Sequence, residues 1–157
     1  MNIFVLHTEP NAAARLHCDK HVIKMILESA QMLSSAIAKY GGTPRYKPTH
    51  VGHPCTRWAS ETRDNFDWLV ELALALACEY EHRYAAKREH KSVDVIRDAH
   101  AQRLLVPAGS LTTFAQAMPD QYKHADAVTA YRRYYAAEKA RFATWRAPRV
   151  RPDWMTI

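Results

Sequence analysis

The chain has 157 residues, of which 48% are apolar and 24% are charged, and its formal net charge at pH 7 is +6. This balance is typical of one globular domain and excludes a disordered or fibrous chain. No uninterrupted apolar run reaches the roughly 18 residues of a membrane span, and the start MNIFVLHTEP lacks the features of a secretory signal. Three cysteines, an odd and sparse set, argue against a disulfide framework and favour reduced thiols in the cytoplasm.

The periodicity of apolar residues predicts a mainly helical chain. Residues 2–6, NIFVL, form a short apolar run that either makes a strand or packs the N-terminus into the core. We predict helices at 11–39, from 55 or 56 to 87, at 93–104 and at 124–144. The expected fold class is all-α: a compact single-domain helical bundle over 1–157, with two long core helices, a shorter helix and an aromatic-rich C-terminal helix. A basic, irregular tail at 146–157 completes it.

A stripe of ionisable residues runs along the first predicted helix, in the segment HCDKHVIKMILES. With about 3.6 residues per turn, His17, His21, Lys24 and Glu28 share one face, and apolar residues cover most of the remainder. A carboxylate near apolar surface has a raised pKa, and nearby cations lower it, a tension typical of acid–base sites. We therefore predict that these four side chains line one concave surface. The alternative is a solvated helix edge on which Lys24 and Glu28 form an i,i+4 pair.

Cations are concentrated in two parts of the chain. The proline-punctuated loop at 43–54 and the helix start after it provide one predicted DNA-binding set, which consists of Arg45, Lys47, His50, His53 and Arg57. The stretch from Tyr131 to Arg151 holds seven bases and one acid, while the other charges of the chain balance. Such a patch is typical of proteins that bind a polyanion. Its predicted DNA-binding residues are Arg132, Arg133, Arg146, Arg149 and Arg151.

Three chemistries could use the ionisable stripe. Cys18 and His21 with His53 and Cys55 could form a four-ligand zinc site, and His17 with His21 could also bind metal, although neither spacing is a familiar zinc pattern. Cys18 beside a histidine could act as a nucleophile, but it points away from the stripe. In glycosyl chemistry, a carboxylate assists an oxocarbenium-like sugar and an amine captures C1′. We expect no metal and no cofactor.

Three segments match a known family in their order along the chain. DKHVIKMILE at 19–28 carries a cation, then an apolar residue, then a glutamate seven residues after the cation. GHPCTRW at 52–58 resembles a Gly/Asn-His-Pro/Val motif that opens a second long helix, and AYRRYYAAEKARFATW at 130–145 is an aromatic, basic C-terminal region. Together they resemble the pyrimidine-dimer DNA glycosylase family of the phage endonuclease V type, with its uncharacterised phage and bacterial relatives.

This resemblance implies a compact all-α enzyme that flips a base, attacks C1′ with its N-terminal amine and can then cleave the abasic strand. Glu28 falls on the family's catalytic glutamate. Characterised members expose a small second residue after Met removal, whereas the second residue here is Asn2. The nucleophile is then the amine of Met1, or a lysine such as Lys24, or no covalent step occurs. The catalytic candidates are Glu28, His21, Lys24, His17 and Met1.

The sequence thus predicts a DNA glycosylase-like enzyme that acts on the N-glycosidic bond of a damaged or modified base, with abasic-site lyase activity as a further step. The alternatives are a non-enzymatic nucleic-acid-binding domain and a nucleotide-level or metal-dependent enzyme that uses the His and Cys residues. The expected partner is duplex DNA with a flipped base, bound by a monomer without membrane association. Salt-dependent binding separates DNA-directed functions from the small-molecule alternative, because DNA binding releases counterions.

Overall fold

The computed structural model describes residues 1–155. Its α-helices are α1 (Pro10–Leu16), α2 (Asp19–Lys39), α3 (Pro54–Ala59), α4 (Arg63–Tyr84), α5 (Val93–Ala101) and α6 (Ala127–Lys139). Short 3₁₀ turns lie at Arg103–Leu105, Asp120–Tyr122 and Asp153–Met155. No strand occurs in this part of the chain, so the all-α prediction is confirmed. Residues 2–6 are irregular and buried, which decides between the two predictions for that segment in favour of core packing.

The two long helices form the centre of the molecule. α2 packs along α4, α1 lies against α4, α3 lies against α2, and α5 contacts both long helices. On α6, Tyr131 and Tyr135 are fully buried and contact Phe4 of the N-terminal segment edge to face. No helix in the described part of the chain combines the length and the apolar character that crossing a bilayer requires.

The first predicted helix, 11–39, is wrong near its start, because it is interrupted at 17–18 and α1 and α2 are separate helices. His17 and Cys18 leave the helical conformation, with ψ angles of 138° and 160°. Groups far along the chain satisfy the backbone there: Tyr135 Oη accepts the Cys18 N–H at 2.9 Å, and Arg83 donates to the His17 carbonyl at 2.8 Å. Because these partners come from α6 and α4, the local periodicity contains no sign of the break.

The second predicted helix is also two helices, with a break at 60–62. Thr62 starts α4 by accepting the Asn65 N–H on its side chain at 3.2 Å, a typical N-cap. α4 ends at Tyr84, and not at Lys87 as predicted; its C-cap, Ala85, has a φ of 46° in the left-handed region. After the break, α3 contacts both α2 and α4.

The last two helices are shorter than predicted. α5 ends at Ala101 and a 3₁₀ turn continues it. α6 begins after Asp126, whose carboxylate accepts the Thr129 N–H at 2.7 Å. It ends at Lys139, whereas the prediction extended it to 144. The aromatic residues beyond that point pack against the core, so tertiary contacts, and not helix propensity, set this end.

A buried ionic network connects the C-terminal tail to the core. The side chain of Arg83 is fully buried, and its guanidinium bonds Glu79 at 2.8 Å and Asp19 at 3.2 Å. Arg149 of the tail binds the same Glu79 through two nitrogens, with Nη2–Oε1 at 2.7 Å and Nε–Oε2 at 3.0 Å. Arg149 therefore joins the tail to α4.

Replacing Glu79 by Gln is expected to lower the free energy of unfolding by about 3–5 kcal/mol at pH 7, because it leaves buried Arg83 with one fewer carboxylate. Burial alone would raise the pKa of Glu79, but the hydrogen bonds and charges of Arg149 and Arg83 outweigh burial and hold it below the ordinary 4.5. The difference in unfolding free energy between the wild type and Glu79→Gln should therefore be complete above the ordinary pKa of a glutamate. It should disappear as the pH falls through the lowered pKa of Glu79. Urea unfolding of both proteins at several pH values across this range measures the predicted loss of stability. Glu81→Gln, which changes an exposed residue of the same helix, is the control. Equal losses in both variants would contradict the expectation.

Candidate active site

Glu28 occupies the middle of α2, and only 9% of the residue is exposed. Its Oε2 accepts the backbone N–H of Asn2 at 3.0 Å and lies 3.5 Å from the α-amine of Met1. Its Oε1 lies 3.5 Å from Nζ of Lys24, one helical turn earlier. The carboxylate is thus surrounded by a backbone donor and two amines, and one of those amines is the start of the chain.

The N-terminal segment presents its amine through the main chain. The Met1 side chain is 2% exposed although the whole residue is only half-buried, so the accessible part is the main chain that carries the amine. Asn2 holds this segment: its Oδ1 accepts the N–H groups of Ile3 and Phe4 at 2.8 and 3.2 Å, and its Nδ2 donates to the Ala117 carbonyl at 2.8 Å. Sequence reasoning missed this role. The sequence feature that could have indicated it is the position of Asn2, a polar residue directly before an apolar run that was expected to be buried.

Lys24 lies at the mouth of the site. Its side chain is 66% exposed, whereas that of its partner Glu28 is 11% exposed. The ammonium group is therefore free to reach a ligand that approaches from solvent. The structure brings together three of the five catalytic candidates, namely Met1, Lys24 and Glu28.

The other two catalytic candidates are buried, and the prediction that all four residues of the stripe line one concave surface is wrong for them. His17 is fully buried and its Nδ1 lies 2.8 Å from the Ala13 carbonyl oxygen, and burial lowers its pKa to about 4. His21 is 6% exposed and its Nδ1 lies 2.8 Å from Tyr135 Oη, and burial lowers its pKa to about 3. The break after α1 turns His17 away from the stripe, and aromatic rings cover His21.

These aromatic rings support the N-terminal segment. Phe4 stacks on the His21 ring with centroids 4.6 Å apart and lies nearly parallel to Tyr134 at 6.2 Å. Its φ of 34° lies in the left-handed region, which is unfavourable for a bulky residue and persists only where packing imposes it. His21 thus acts on the site through Phe4, as a packing partner of the segment that carries the amine.

The start of α3 borders the site. His53 is the N-cap of this helix, and its Nδ1 accepts the Cys55 N–H at 3.2 Å. The Cys55 Sγ lies 3.9 Å from Tyr131 Oη, which accepts the N–H of Ala117, the residue whose carbonyl Asn2 bonds. This helix end therefore lies near the N-terminal segment, and the charges of the Met1 amine and Glu28 act on both His53 and Cys55. Burial raises the pKa of the Cys55 thiol to about 11 and also raises that of Cys18, so both thiols stay protonated. Within residues 1–155, no three His, Cys, Asp or Glu side chains lie close enough to hold a metal ion.

The loop before α3, together with α3 itself, exposes most of the cations predicted to bind DNA in this part of the chain. Lys47, His50 and Arg57 are exposed, and His50 has a φ of 50° in the left-handed region. Arg45 is also exposed but forms an ion pair with Asp98 of α5. Lys47 and Arg57 are therefore the cations of this segment best placed to contact a DNA backbone.

The C-terminal cations divide into two groups. Arg133 and Arg146 are exposed, and the Arg146 guanidinium lies 4.6 Å from the centre of the Tyr84 ring. The other three bond the protein itself, through Arg132 to the Leu6 carbonyl at 3.0 Å, Arg149 to Glu79, and Arg151 to the Met155 carbonyl at 2.7 Å. These contacts stabilise the tail and the N-terminal segment.

Two further lysines, neither of them among the predicted site residues, pack against aromatic rings of the C-terminal region. Lys20 Nζ lies 5.2 Å from the centre of the Phe142 ring, and Lys139 Nζ lies 4.6 Å from that of Tyr134. The charges of Lys139 and Lys24 both act on the buried His21 and help to lower its pKa. The sequence feature that could have indicated these two lysines is the recurrence of aromatic residues after 130, which pack the C-terminal segment onto α2.

Comparison with known families identifies one matching family. The family model described as pyrimidine dimer DNA glycosylase matches residues 1–92. No curated protein and no solved structure matches the chain. The matched region is more than half of the chain and contains Met1, Lys24, Glu28 and His53. The chain therefore belongs to the pyrimidine dimer DNA glycosylase family.

Proposed function

We propose that this protein is a DNA glycosylase that cleaves the N-glycosidic bond of a pyrimidine dimer, or of another damaged or modified base, in duplex DNA. The observation that carries the proposal is the α-amine of Met1, 3.5 Å from a carboxylate that is only 9% exposed. An amine and a carboxylate at this separation supply the nucleophile and the proton acceptor of one displacement at C1′.

In the proposed reaction the unprotonated amine of Met1 attacks C1′ of the damaged nucleotide. The C1′–N bond to the base breaks, and its electron pair leaves with the base. The carboxylate of Glu28 stabilises the positive charge that develops on the sugar and accepts the proton that the attacking nitrogen loses. The C1′–O4′ bond then breaks and O4′ takes the proton that Glu28 holds, which gives an imine at C1′. The carboxylate, free again, accepts a C2′ proton, and the electron pair of that C–H bond expels the 3′ phosphate in the proposed lyase step.

Exposed lysines and arginines around the site would position the duplex. Lys24 is exposed beside Glu28, Lys20 is exposed one helical turn earlier on α2, and Lys47 and Arg57 are exposed before and within α3. Phosphate contacts from such residues set the register of a protein on DNA without reading sequence. Recognition of the lesion then depends on whether a flipped base can reach the amine.

Base release from a defined duplex tests the proposed function. The protein is incubated with duplexes that carry a pyrimidine dimer or a single modified base, and abasic sites are revealed by alkaline cleavage. The undamaged duplex is the control. Release from the damaged duplex alone supports the proposal. Tight, salt-dependent binding without release would instead indicate a non-enzymatic DNA-binding domain, and activity on free nucleotides alone would indicate a nucleotide-level enzyme.

Arg57→Ala is expected to weaken binding to any duplex and to lower the slope of log affinity against log salt by about one, because one phosphate contact is lost. The change should be similar for damaged and undamaged DNA, since a phosphate contact carries no base information. Fluorescence anisotropy at several salt concentrations measures both quantities. The matched control is Arg97→Ala on α5, where the guanidinium pairs with Glu89 and Asp94. An unchanged affinity of Arg57→Ala at low salt would remove this residue from the DNA interface.

A further inference from the structure

His53 is the N-cap residue of α3 and lies at the edge of the candidate active site. The residue is half-buried, and the charges of the Met1 amine and Glu28 both act on it. The preceding turn is tight: His50 adopts a left-handed backbone and its carbonyl accepts the His53 N–H at 2.9 Å. Backbone strain of this kind is often found at functional sites, and here it fixes the position of the imidazole.

The hydrogen bond at the helix start determines which nitrogen of His53 carries a proton. Nδ1 accepts the Cys55 N–H, so the neutral ring must carry its hydrogen on Nε2. A proton on Nδ1 would point at the hydrogen of the Cys55 N–H, and the hydrogen bond that caps the helix would be lost. Burial, followed by the positive charges of the Met1 amine and His50, lowers the pKa of His53. The ring is therefore a neutral imidazole that offers one N–H donor.

That donor has no partner among residues 1–155. The Nδ1 edge is occupied by the helix, and no protein group in this part of the chain bonds Nε2. The start of α3 reaches the N-terminal segment through Cys55, whose thiol contacts Tyr131 Oη next to the Ala117 backbone that Asn2 bonds. An unpartnered N–H at this helix end is placed to bond the group attached to C1′. In a pyrimidine nucleotide, the nitrogen attached to C1′ is N1, and the O2 carbonyl oxygen is bonded to C2, the ring carbon next to N1.

We propose that His53 is a further catalytic residue, which donates a hydrogen bond from Nε2 to O2 of the leaving pyrimidine. The inference rests on the proposed glycosylase function. As the C1′–N1 bond breaks, its electron pair stays on the base and the negative charge spreads from N1 onto O2. A fixed donor at O2 stabilises that charge more strongly in the transition state than in the substrate. The proton stays on His53, and the base anion takes a proton from solvent.

Two substitutions separate this donor from the helix cap. His53→Asn keeps a side-chain acceptor near the Nδ1 position and is a favourable N-cap, but it cannot reach the Nε2 position. His53→Gln places an amide N–H near the Nε2 position but loses the cap. We expect His53→Asn to retain the wild-type melting temperature and to excise a pyrimidine dimer about 100-fold more slowly. We expect His53→Gln to melt at a lower temperature yet to excise faster than His53→Asn.

A duplex that already contains an abasic site distinguishes the leaving base from the nucleophile. No base departs from this substrate, so borohydride trapping by His53→Asn should match the wild type. Excision of the dimer by His53→Asn at the wild-type rate would overturn the inference. A parallel loss of excision and trapping in folded His53→Asn would also overturn it, because His53 would then act on the amine. A wild-type protein that forms no abasic site in any of the damaged duplexes would overturn the proposed function, and the inference with it.

Discussion

Replacing Glu28 by Gln is expected to lower base excision by about 100- to 10,000-fold while the protein remains folded. The amide cannot stabilise positive charge on the sugar or accept a proton from the attacking nitrogen. It can still accept the Asn2 N–H that the carboxylate now accepts at 3.0 Å, so the N-terminal segment should keep its position. Affinity for DNA should stay the same or increase, because one negative charge near the phosphates is removed.

Three measurements on the Glu28→Gln variant test this expectation: the rate of base release, the melting temperature and the duplex affinity. Glu71→Gln is the matched control, since it removes an exposed carboxylate on α4. Excision by Glu28→Gln at the wild-type rate would contradict the proposed role. Glu28 would then act only as a structural residue, and its partly solvated pair with Lys24 contributes little to the stability of the fold.

Acetylation of the Met1 amine is expected to abolish the covalent adduct that borohydride traps on abasic DNA. An acetylated nitrogen has no available lone pair and cannot form an imine. It still carries an N–H that can bond Glu28, so the chemical change is large while the structural change is small. Base excision should fall with trapping if the amine attacks during bond cleavage. Gel electrophoresis of the trapped complex and peptide mapping by mass spectrometry provide the measurement.

Lys24→Ala is the matched control for the acetylated protein, because Lys24 is the other amine within 3.5 Å of Glu28. It should still form the adduct, with weaker DNA binding. An adduct that survives acetylation but disappears in Lys24→Ala would assign the nucleophile to Lys24. Excision without any adduct would mean that Glu28 activates a water and that no covalent step occurs. Either result would contradict the proposed attack by Met1.

The pairing of Lys24 and Glu28 is the part of the site that could be predicted from the chain. The two residues are four positions apart within α2, and helical geometry alone places them on one face. The same reasoning placed His17 on that face and was wrong. Periodicity describes an uninterrupted helix, whereas the conformations of His17 and Cys18 depend on Tyr135 and Arg83, which follow Cys18 by more than 60 residues.

The sequence by itself determined the helical class of the fold, the amphipathic character of its long helices and the segment that carries Glu28. These properties follow from local spacing, because burial of one helix face requires apolar residues at regular intervals. Only the tertiary structure decided that the Met1 amine lies against Glu28 and that Arg149 is used internally. Both contacts join segments far apart in the chain. The first needs Asn2 bonded to Ala117, and the second needs Glu79 on the buried side of α4, so no local pattern contains them.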